Sequence, residues 1–281
     1  MPSNEQRRQA AKRKLERQLA RRAERAKRRR IWGAAITVGV VIAAVGLLYW
    51  LVNLGPDDSE ASANTDESST DTADTTDGAC KYTKNPSEQP PKDVGTPDDP
   101  AETPSTGTVK VTFKTSQGDI PVALDRAKAP CTVQSIEHLV TSKFYDETTC
   151  HRLTASAGLK VLQCGDPLGT GGGGPGYSIP DELDAAGALQ QTQLEDGTPA
   201  VIYPRGAIAM ANGGPNTGGS QFFLVYGDST LPPNYTYFGT VDAAGLTVLD
   251  KIAAGGITPG QNGAEDGAPA TPVQITSAVA E

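Results

Sequence analysis

The chain is poor in the residues from which most metal and hydrolytic sites are built. It has 281 residues but only two histidines and four cysteines, too few for most metal centres. No G-x-S-x-G sequence is present, and a serine hydrolase would have to use His138 or His151 as its base. The composition therefore argues against metal-dependent and serine-hydrolase chemistry.

The composition is also unlike that of a helix bundle. Hydrophobic residues make up only 37% of the chain, whereas glycine and proline number 31 and 21. The glycine run at 169–174 formally matches G-x-G-x-x-G, but Pro175 and Pro180 prevent the helix that a dinucleotide site needs directly after it. We expect a loop-rich domain rather than a nucleotide-binding fold.

Charge and hydrophobicity divide the first part of the chain sharply. Residues 1–30 carry a net charge of +10, whereas the remaining residues carry −18. The run from Ile31 to Val52 has no charged residue and, at ~1.5 Å per residue, is about 33 Å long as a helix. Trp32 at one end and Tyr49 with Trp50 at the other resemble interfacial aromatic belts. This pattern is typical of a membrane-spanning helix.

We therefore predict a transmembrane anchor at residues 31–54. The positive-inside rule makes residues 1–30 a basic cytoplasmic tail and places the rest of the chain outside the cell membrane. Two alternatives stay open. The sequence Ala61-Ser62-Ala63 resembles a cleavage site, as in a signal peptide, and the basic run resembles a nucleic-acid-binding segment. The neighbouring apolar run explains the basic residues without nucleic acid, so we expect none as a partner.

An acidic, Pro/Ser/Thr-rich segment follows the predicted anchor. Residues 55–79 contain eight Asp or Glu and no Lys or Arg, and residues 80–106 remain rich in proline, lysine and threonine. Such a segment buries too little apolar surface to offset the entropy lost on ordering. The sequence predicts an extracellular tether at residues 55–106.

The remaining residues, 107–281, show the patterns of a mainly β domain. Residues 108–115 alternate apolar and polar side chains, a turn follows at 116–119, and residues 120–125 continue as a second strand. Helical spacing of apolar residues predicts helices from Ala129 to about Lys143 and near 243–254. Further short strands are predicted near 150–154, 159–164, 206–211, 221–226, 237–241 and 273–280. Many short strands with two helices favour a closed antiparallel barrel with helical covers.

Four motifs in this domain are similar to those of the cyclophilins. They are Cys150-His151-Arg152, Gln163-Cys164-Gly165-Asp166, the run Met210–Phe223 (MANGGPNTGGSQFF), and Phe238-Gly239-Thr240-Val241. They occur in the family's order within residues 108–280. The resemblance implies an eight-stranded antiparallel barrel closed by two α-helices, and a peptidyl-prolyl cis-trans isomerase that needs no cofactor, no metal and no covalent intermediate.

The resemblance also implies the role of each site residue. Arg152 would be the catalytic donor to the twisted prolyl amide, Gln163 would orient it, and Asn212 would bond the substrate backbone. The residues expected to bind substrate form a groove and an apolar floor; they are Val161, Ala211, Gln221, Phe223, Leu231 and Tyr235. The implied substrates are proline-containing segments of unfolded or exported proteins, bound by a monomer.

Departures from the family pattern leave a second function open. Leu159-Lys160 stands where the family usually has Phe-Met, Thr230 replaces a common tryptophan, and Tyr235 replaces a common histidine. These changes put cyclosporin affinity in doubt. They also suit a non-catalytic peptide-binding or chaperone module for proline-containing segments.

The four cysteines suit two disulfides in an oxidising compartment. Cys150 and Cys164 lie on the two strands that flank the expected active-site turn and could face each other. Cys80 and Cys131 would then form the second bridge, tying the tether to the first helix. Four cysteines allow three connectivities, and buried free thiols remain an alternative.

Overall fold

Antiparallel strands dominate the part of the chain that the computed structural model describes, which is residues 75–281 other than 86, 87 and 89. The helices there are α1 (Pro130–Thr141), α2 (Asp184–Gly187) and α3 (Ala243–Ala254). The strands are β1 (Thr83–Lys84), β2 (Thr108–Thr115), β3 (Gly118–Asp125), β4 (Thr148–Thr149), β5 (Arg152–Thr154), β6 (Lys160–Cys164), β7 (Tyr177–Ser178), β8 (Gln190–Gln193), β9 (Pro199–Tyr203), β10 (Ala207–Met210), β11 (Phe222–Gly227), β12 (Ser229–Leu231), β13 (Tyr237–Val241), β14 (Ile257–Gly260), β15 (Gly263–Pro269) and β16 (Gln274–Ala280).

The main sheet is a curled, open sheet. Its strand order is β14-β15-β5-β6-β11-β10-β13-β3-β2-β16-β4, and β12-β9-β8 and β1-β7 form two smaller sheets. The sheet curls strongly, because β4 at one end and β5 near the other are separated in sequence only by Cys150 and His151. The strand ladder is interrupted at these two residues. The expectation of a closed eight-stranded barrel is therefore wrong in this respect, whereas the mainly β, antiparallel class is confirmed.

The β2–β3 hairpin shows why the alternating pattern gives a strand. Val111 faces Val122 and Phe113 faces Ile120 across the pair, and all four side chains are buried in one core. The intervening residues are more exposed, as the two-residue period requires. The hairpin turn ends at Gly118, whose φ of 133° suits glycine.

Both long helices lie where the sequence predicts them. Helix α3 starts after Asp242, whose side chain accepts a hydrogen bond from the Gly245 N–H at 2.8 Å. Helix α1 has no capping side chain of its own. The Glu182 carboxylate accepts the N–H groups of Cys131 and Thr132 instead, at 3.0 and 2.8 Å.

The described residues from 75 to 100, here called the N-terminal strap, pack against the β domain. Cys80 and Tyr82 are buried, and the Tyr82 hydroxyl donates to the Cys131 carbonyl at 2.8 Å. The Asp99 carboxylate accepts the N–H groups of Cys80 and Lys81 at 2.8 and 2.9 Å. The expectation that residues 55–106 are disordered therefore does not hold for this part, because buried anchors offset the ordering entropy that composition alone suggests. The described residues from 75 to 281 belong to one compact unit.

Two disulfides fix the strap and one edge of the site. Cys80 pairs with Cys131, at the start of α1, and Cys150 pairs with Cys164 on β6. The hypothesised connectivity is confirmed. The first bridge joins residues 51 positions apart in sequence, so the strap is covalently part of the domain.

The basic tail at 1–30, the predicted anchor at 31–54 and the first part of the predicted tether lie outside the described residues. Within residues 75–281, no helix has both the length and the apolar character needed to cross a membrane.

Candidate active site

A cavity of about 230 Å³ opens between the main sheet and the β8–β9–β12 sheet. Five of its nine lining residues are apolar, and Arg152, Gln163 and Asn212 contribute charged or amide side chains. The lining residues are Arg152, Leu159, Val161, Gln163, Ala211, Asn212, Phe223, Leu231 and Tyr235. Among these are all but one of the nine predicted site residues.

Strand register brings the central residues together. Arg152 on β5 lies opposite Gln163 on β6, and Gln163 lies opposite Phe223 on β11. Successive side chains alternate faces, so Phe222 enters the main core while Phe223 belongs to a second apolar cluster under the cavity. Three adjacent strands thus present Arg152, Gln163 and Phe223 on one face.

The floor of the cavity is aromatic. Phe223 meets Tyr235 edge to face, with ring centroids 5.5 Å apart, and Tyr203 packs against Phe223 at 6.1 Å. The Tyr203 hydroxyl donates to the Tyr235 carbonyl at 2.8 Å. Burial raises the pKa of Tyr203, so this phenol stays a neutral donor and holds the rim residue Tyr235 in place.

The Arg152 guanidinium is held on one edge by a carboxylate. Its Nε and Nη2 donate to Oδ1 and Oδ2 of Asp266, both at 2.8 Å. Nη1 donates to Oε1 of Gln163 at 3.3 Å. The pair with Asp266 raises the pKa of Arg152, and the same bond lowers the pKa of Asp266. The side chain of Arg152 stays 36% exposed, so a permanent cation faces the cavity.

A chain of amides leads from Arg152 to the glycine-rich loop. Gln163 Nε2 donates to Gln221 Oε1 at 2.9 Å, and Gln221 Nε2 donates to the carbonyls of Gly171 and Gly173 at 3.1 and 2.8 Å. Gln221 is the predicted site residue that does not line the first cavity. It lines a neighbouring cavity of about 340 Å³, which also borders Gln163 and Glu88 of the N-terminal strap.

Asp166 fixes the glycine-rich loop from inside. It is fully buried, and its carboxylate accepts the N–H groups of Leu168 and Thr170 at 2.8 and 2.7 Å and that of Gly171 at 2.5 Å. Burial pushes the pKa of Asp166 up, but these backbone donors outweigh burial and hold it below its usual range. The loop that anchors Gln221 is therefore rigidly placed.

Asn212 stands on the opposite rim. Its Nδ2 donates to the carbonyl of Asn234 at 2.8 Å, which fixes the amide of this lining residue. His151 does not line this cavity, and burial lowers its pKa. The site therefore offers hydrogen-bond donors and apolar surface, and the carboxylate beside Arg152, that of Asp266, is already paired with the guanidinium.

Sequence reasoning missed three contributors to this site. Asp266 lies in a Gly- and Ala-rich stretch 114 residues after Arg152, and no motif marks it. Leu159 lines the cavity although it looked like a departure from the family pattern, and Tyr203 braces the floor from a hairpin that the sequence did not predict. The aromatic and β-branched residues of 199–203 were the available signal for that strand.

Comparisons with known proteins show what the chain is similar to. Residues 110–280 match the family model described as cyclophilin type peptidyl-prolyl cis-trans isomerase/CLD. The chain is 43% identical, over 99% of both chains, to the probable peptidyl-prolyl cis-trans isomerase B of Mycobacterium leprae (strain TN). It is 37% identical to peptidyl-prolyl cis-trans isomerase B of Streptomyces anulatus, over 51% of this chain and 82% of that one. A crystal structure of a Cryptosporidium parvum cyclophilin type peptidyl-prolyl cis-trans isomerase is 26% identical, with a TM-score of 0.47, over 62% of this chain and 98% of that one.

Proposed function

The chain belongs to the cyclophilin-type peptidyl-prolyl cis-trans isomerases, and we propose that it isomerises X-Pro bonds in unfolded segments of exported or cell-envelope proteins. The observation that carries the proposal is the juxtaposition of a fixed guanidinium with apolar side chains in one cavity. Phe223, Val161 and Leu231 offer a surface for the proline ring, and the guanidinium of Arg152 would then lie beside the prolyl amide.

The chemistry requires stabilisation of a twisted amide. The C–N bond has partial double-bond character, which gives a barrier of roughly 18–20 kcal/mol. In the twisted state the conjugation is lost, and the prolyl nitrogen becomes pyramidal and able to accept a hydrogen bond. A donor that bonds this nitrogen only in the twisted state lowers the barrier by differential binding.

Arg152 suits that role because it cannot lose its proton at working pH. Of its five N–H donors, three are engaged by Asp266 and Gln163, leaving one hydrogen on each of Nη1 and Nη2. A charge-assisted hydrogen bond contributes about 1.5–3 kcal/mol, or roughly 10- to 150-fold in rate. Positioning of the flanking peptide by Asn212 and exclusion of water by the apolar floor would supply the remainder.

We also propose that the domain works outside the cell membrane, anchored through residues 31–54 with residues 1–30 in the cytoplasm. The charge asymmetry of the sequence supports this arrangement. Two disulfides within the described residues support it as well, since such bonds persist in oxidising compartments. A membrane-impermeant amine label should modify lysines of the domain on intact cells; labelling only after lysis would contradict the placement.

Catalysis itself is tested with residues 69–281, which include all of the described residues. The cis-to-trans exchange of an Ala-Pro peptide is timed by its coupling to a protease that cleaves only the trans form. We expect exchange to accelerate in proportion to protein concentration. A folded domain that binds the peptide without accelerating exchange would instead establish the non-catalytic peptide-binding module.

A further inference from the structure

The β14–β15 hairpin carries a carboxylate into the site from a part of the chain without a recognisable motif. Asp266 on β15 pairs with Thr154 on β5 in the strand register, and its side chain reaches back to Arg152. Asn262 Nδ2, in the same hairpin, donates to Asp266 Oδ2 at 3.0 Å. The carboxylate is thus supported from both sides.

The hairpin that holds Asp266 is closely packed on itself. A Cβ added to Gly267 would collide with the Thr258 carbonyl and lie 2.6 Å from the Gly260 backbone nitrogen. The side chain of Asp266 is only 20% exposed. The position of Asp266 is therefore set by backbone packing, so its carboxylate can hold the plane of the Arg152 guanidinium in one orientation.

We propose that Asp266 is the positioning residue for Arg152. The bidentate pair occupies the Nε/Nη2 edge, so rotation about the last bonds of the Arg152 side chain would break two charge-assisted bonds. Gln163 holds Nη1. The one free hydrogen on each Nη then points away from both partners, in a direction fixed before substrate arrives. Because the donors are already oriented, less entropy is lost at the reacting amide when substrate binds.

The inference rests on the proposed isomerase function, and its test separates the two. Asp266→Asn keeps the shape of the side chain but turns one acceptor into a donor facing the guanidinium. Glu265→Gln is the matched control, because it removes the same charge from an exposed neighbour in the same strand. Both variants, with wild type, are assayed in residues 69–281, and their melting temperatures are compared first.

We expect Asp266→Asn to lower kcat/KM about tenfold, or ~1.4 kcal/mol, mainly through kcat because the apolar floor is untouched. Glu265→Gln should stay within about twofold of wild type, since an exposed charge contributes little. Lysine lacks the planar guanidinium that forms two parallel hydrogen bonds with a carboxylate. In the Arg152→Lys background, Asp266→Asn should therefore lower kcat/KM much less.

An NMR signature that a merely structural role would not alter completes the test. The Arg152 Nε–H signal, assigned by its loss in Arg152→Lys, should exchange slowly with water in wild type and Glu265→Gln, and rapidly in Asp266→Asn. If Asp266→Asn does not fold, Asn262→Ala replaces it, with an expected loss of about fivefold from one supporting bond, outside the range expected of the control. Wild-type kcat/KM in a folded Asp266→Asn variant, an increase in kcat, or an equal loss in Glu265→Gln would each overturn the proposal. An inactive wild type would overturn the proposed function instead.

Discussion

Removal of the N-terminal strap should destabilise the β domain strongly, although sequence alone puts the strap in a tether. The comparison is between residues 69–281 and residues 107–281, the latter with Cys131→Ser to avoid a free thiol. The shorter fragment lacks Tyr82, which is fully buried, stacks edge to face on Tyr177 with centroids 5.8 Å apart, and bonds the Cys131 carbonyl. It also lacks the disulfide to Cys80.

The expected loss follows from two contributions. Removing a buried aromatic side chain costs about 3–5 kcal/mol. A cross-link between residues 51 apart contributes about 4 kcal/mol in the chain-entropy description. The two overlap, because both hold the same segment, so we predict a loss of at least about 3 kcal/mol in the free energy of unfolding. For a domain of this size that is a fall of roughly 6–12 °C in Tm.

Urea unfolding followed by tyrosine fluorescence measures the difference, with the slope m checked for two-state behaviour. Tyr82→Phe in the longer fragment is the control, since it keeps the ring and should cost only about 1 kcal/mol for the lost hydrogen bond. Equal stability of the two fragments, within about 1 kcal/mol, would refute the reasoning that the strap belongs to the fold.

Three further changes have defined outcomes. Leu231→Ala removes part of the half-buried cavity wall and should raise KM about fivefold with kcat nearly unchanged, measured on an Ala-Pro peptide at varied concentration. Asp166→Ala leaves three backbone N–H groups without their acceptor and should lower the free energy of unfolding by about 3 kcal/mol in urea titrations. The pKa of Asp266 is depressed from its usual 3.8 by Arg152, so its contribution is fully present above that value and is lost as pH falls through the lower folded value. The stability gap between wild type and Asp266→Asn should therefore close on acidification; a gap unchanged down to about pH 2 would contradict the ion pair.

The alternation of apolar and polar residues and the motif Met210–Phe223 predict much of the domain from the sequence. The β2–β3 hairpin and α3 lie within a residue or two of their predicted ranges, because each buries one face through strictly local spacing. Eight of the nine predicted site residues line one cavity, since the motifs that contain them lie on adjacent strands. The roles assigned to those residues remain predictions.

The features that the sequence did not predict share a physical cause: each depends on contacts with residues that are distant in the sequence. The strap has a tether-like composition and is fixed by Cys80 and Tyr82, whose partners lie about fifty residues further along the chain. The sheet is open because strand pairing is interrupted at Cys150 and His151. The alternation of apolar and polar residues in the sequence does not predict that interruption. Asp266 acquires its role only through the register of β15 on β5.

The most direct test of the central claim is the rate of cis–trans exchange at saturating peptide in Arg152 variants, measured by NMR exchange spectroscopy. Arg152→Ala leaves Asp266 unpaired at the cavity, so Arg152→Ala/Asp266→Ala serves as its control. We predict that both lower kcat at least about tenfold, and that Arg152→Lys, a cation without the planar fork, restores only part of the rate. Wild-type kcat in folded Arg152→Ala/Asp266→Ala would show that catalysis does not depend on this guanidinium.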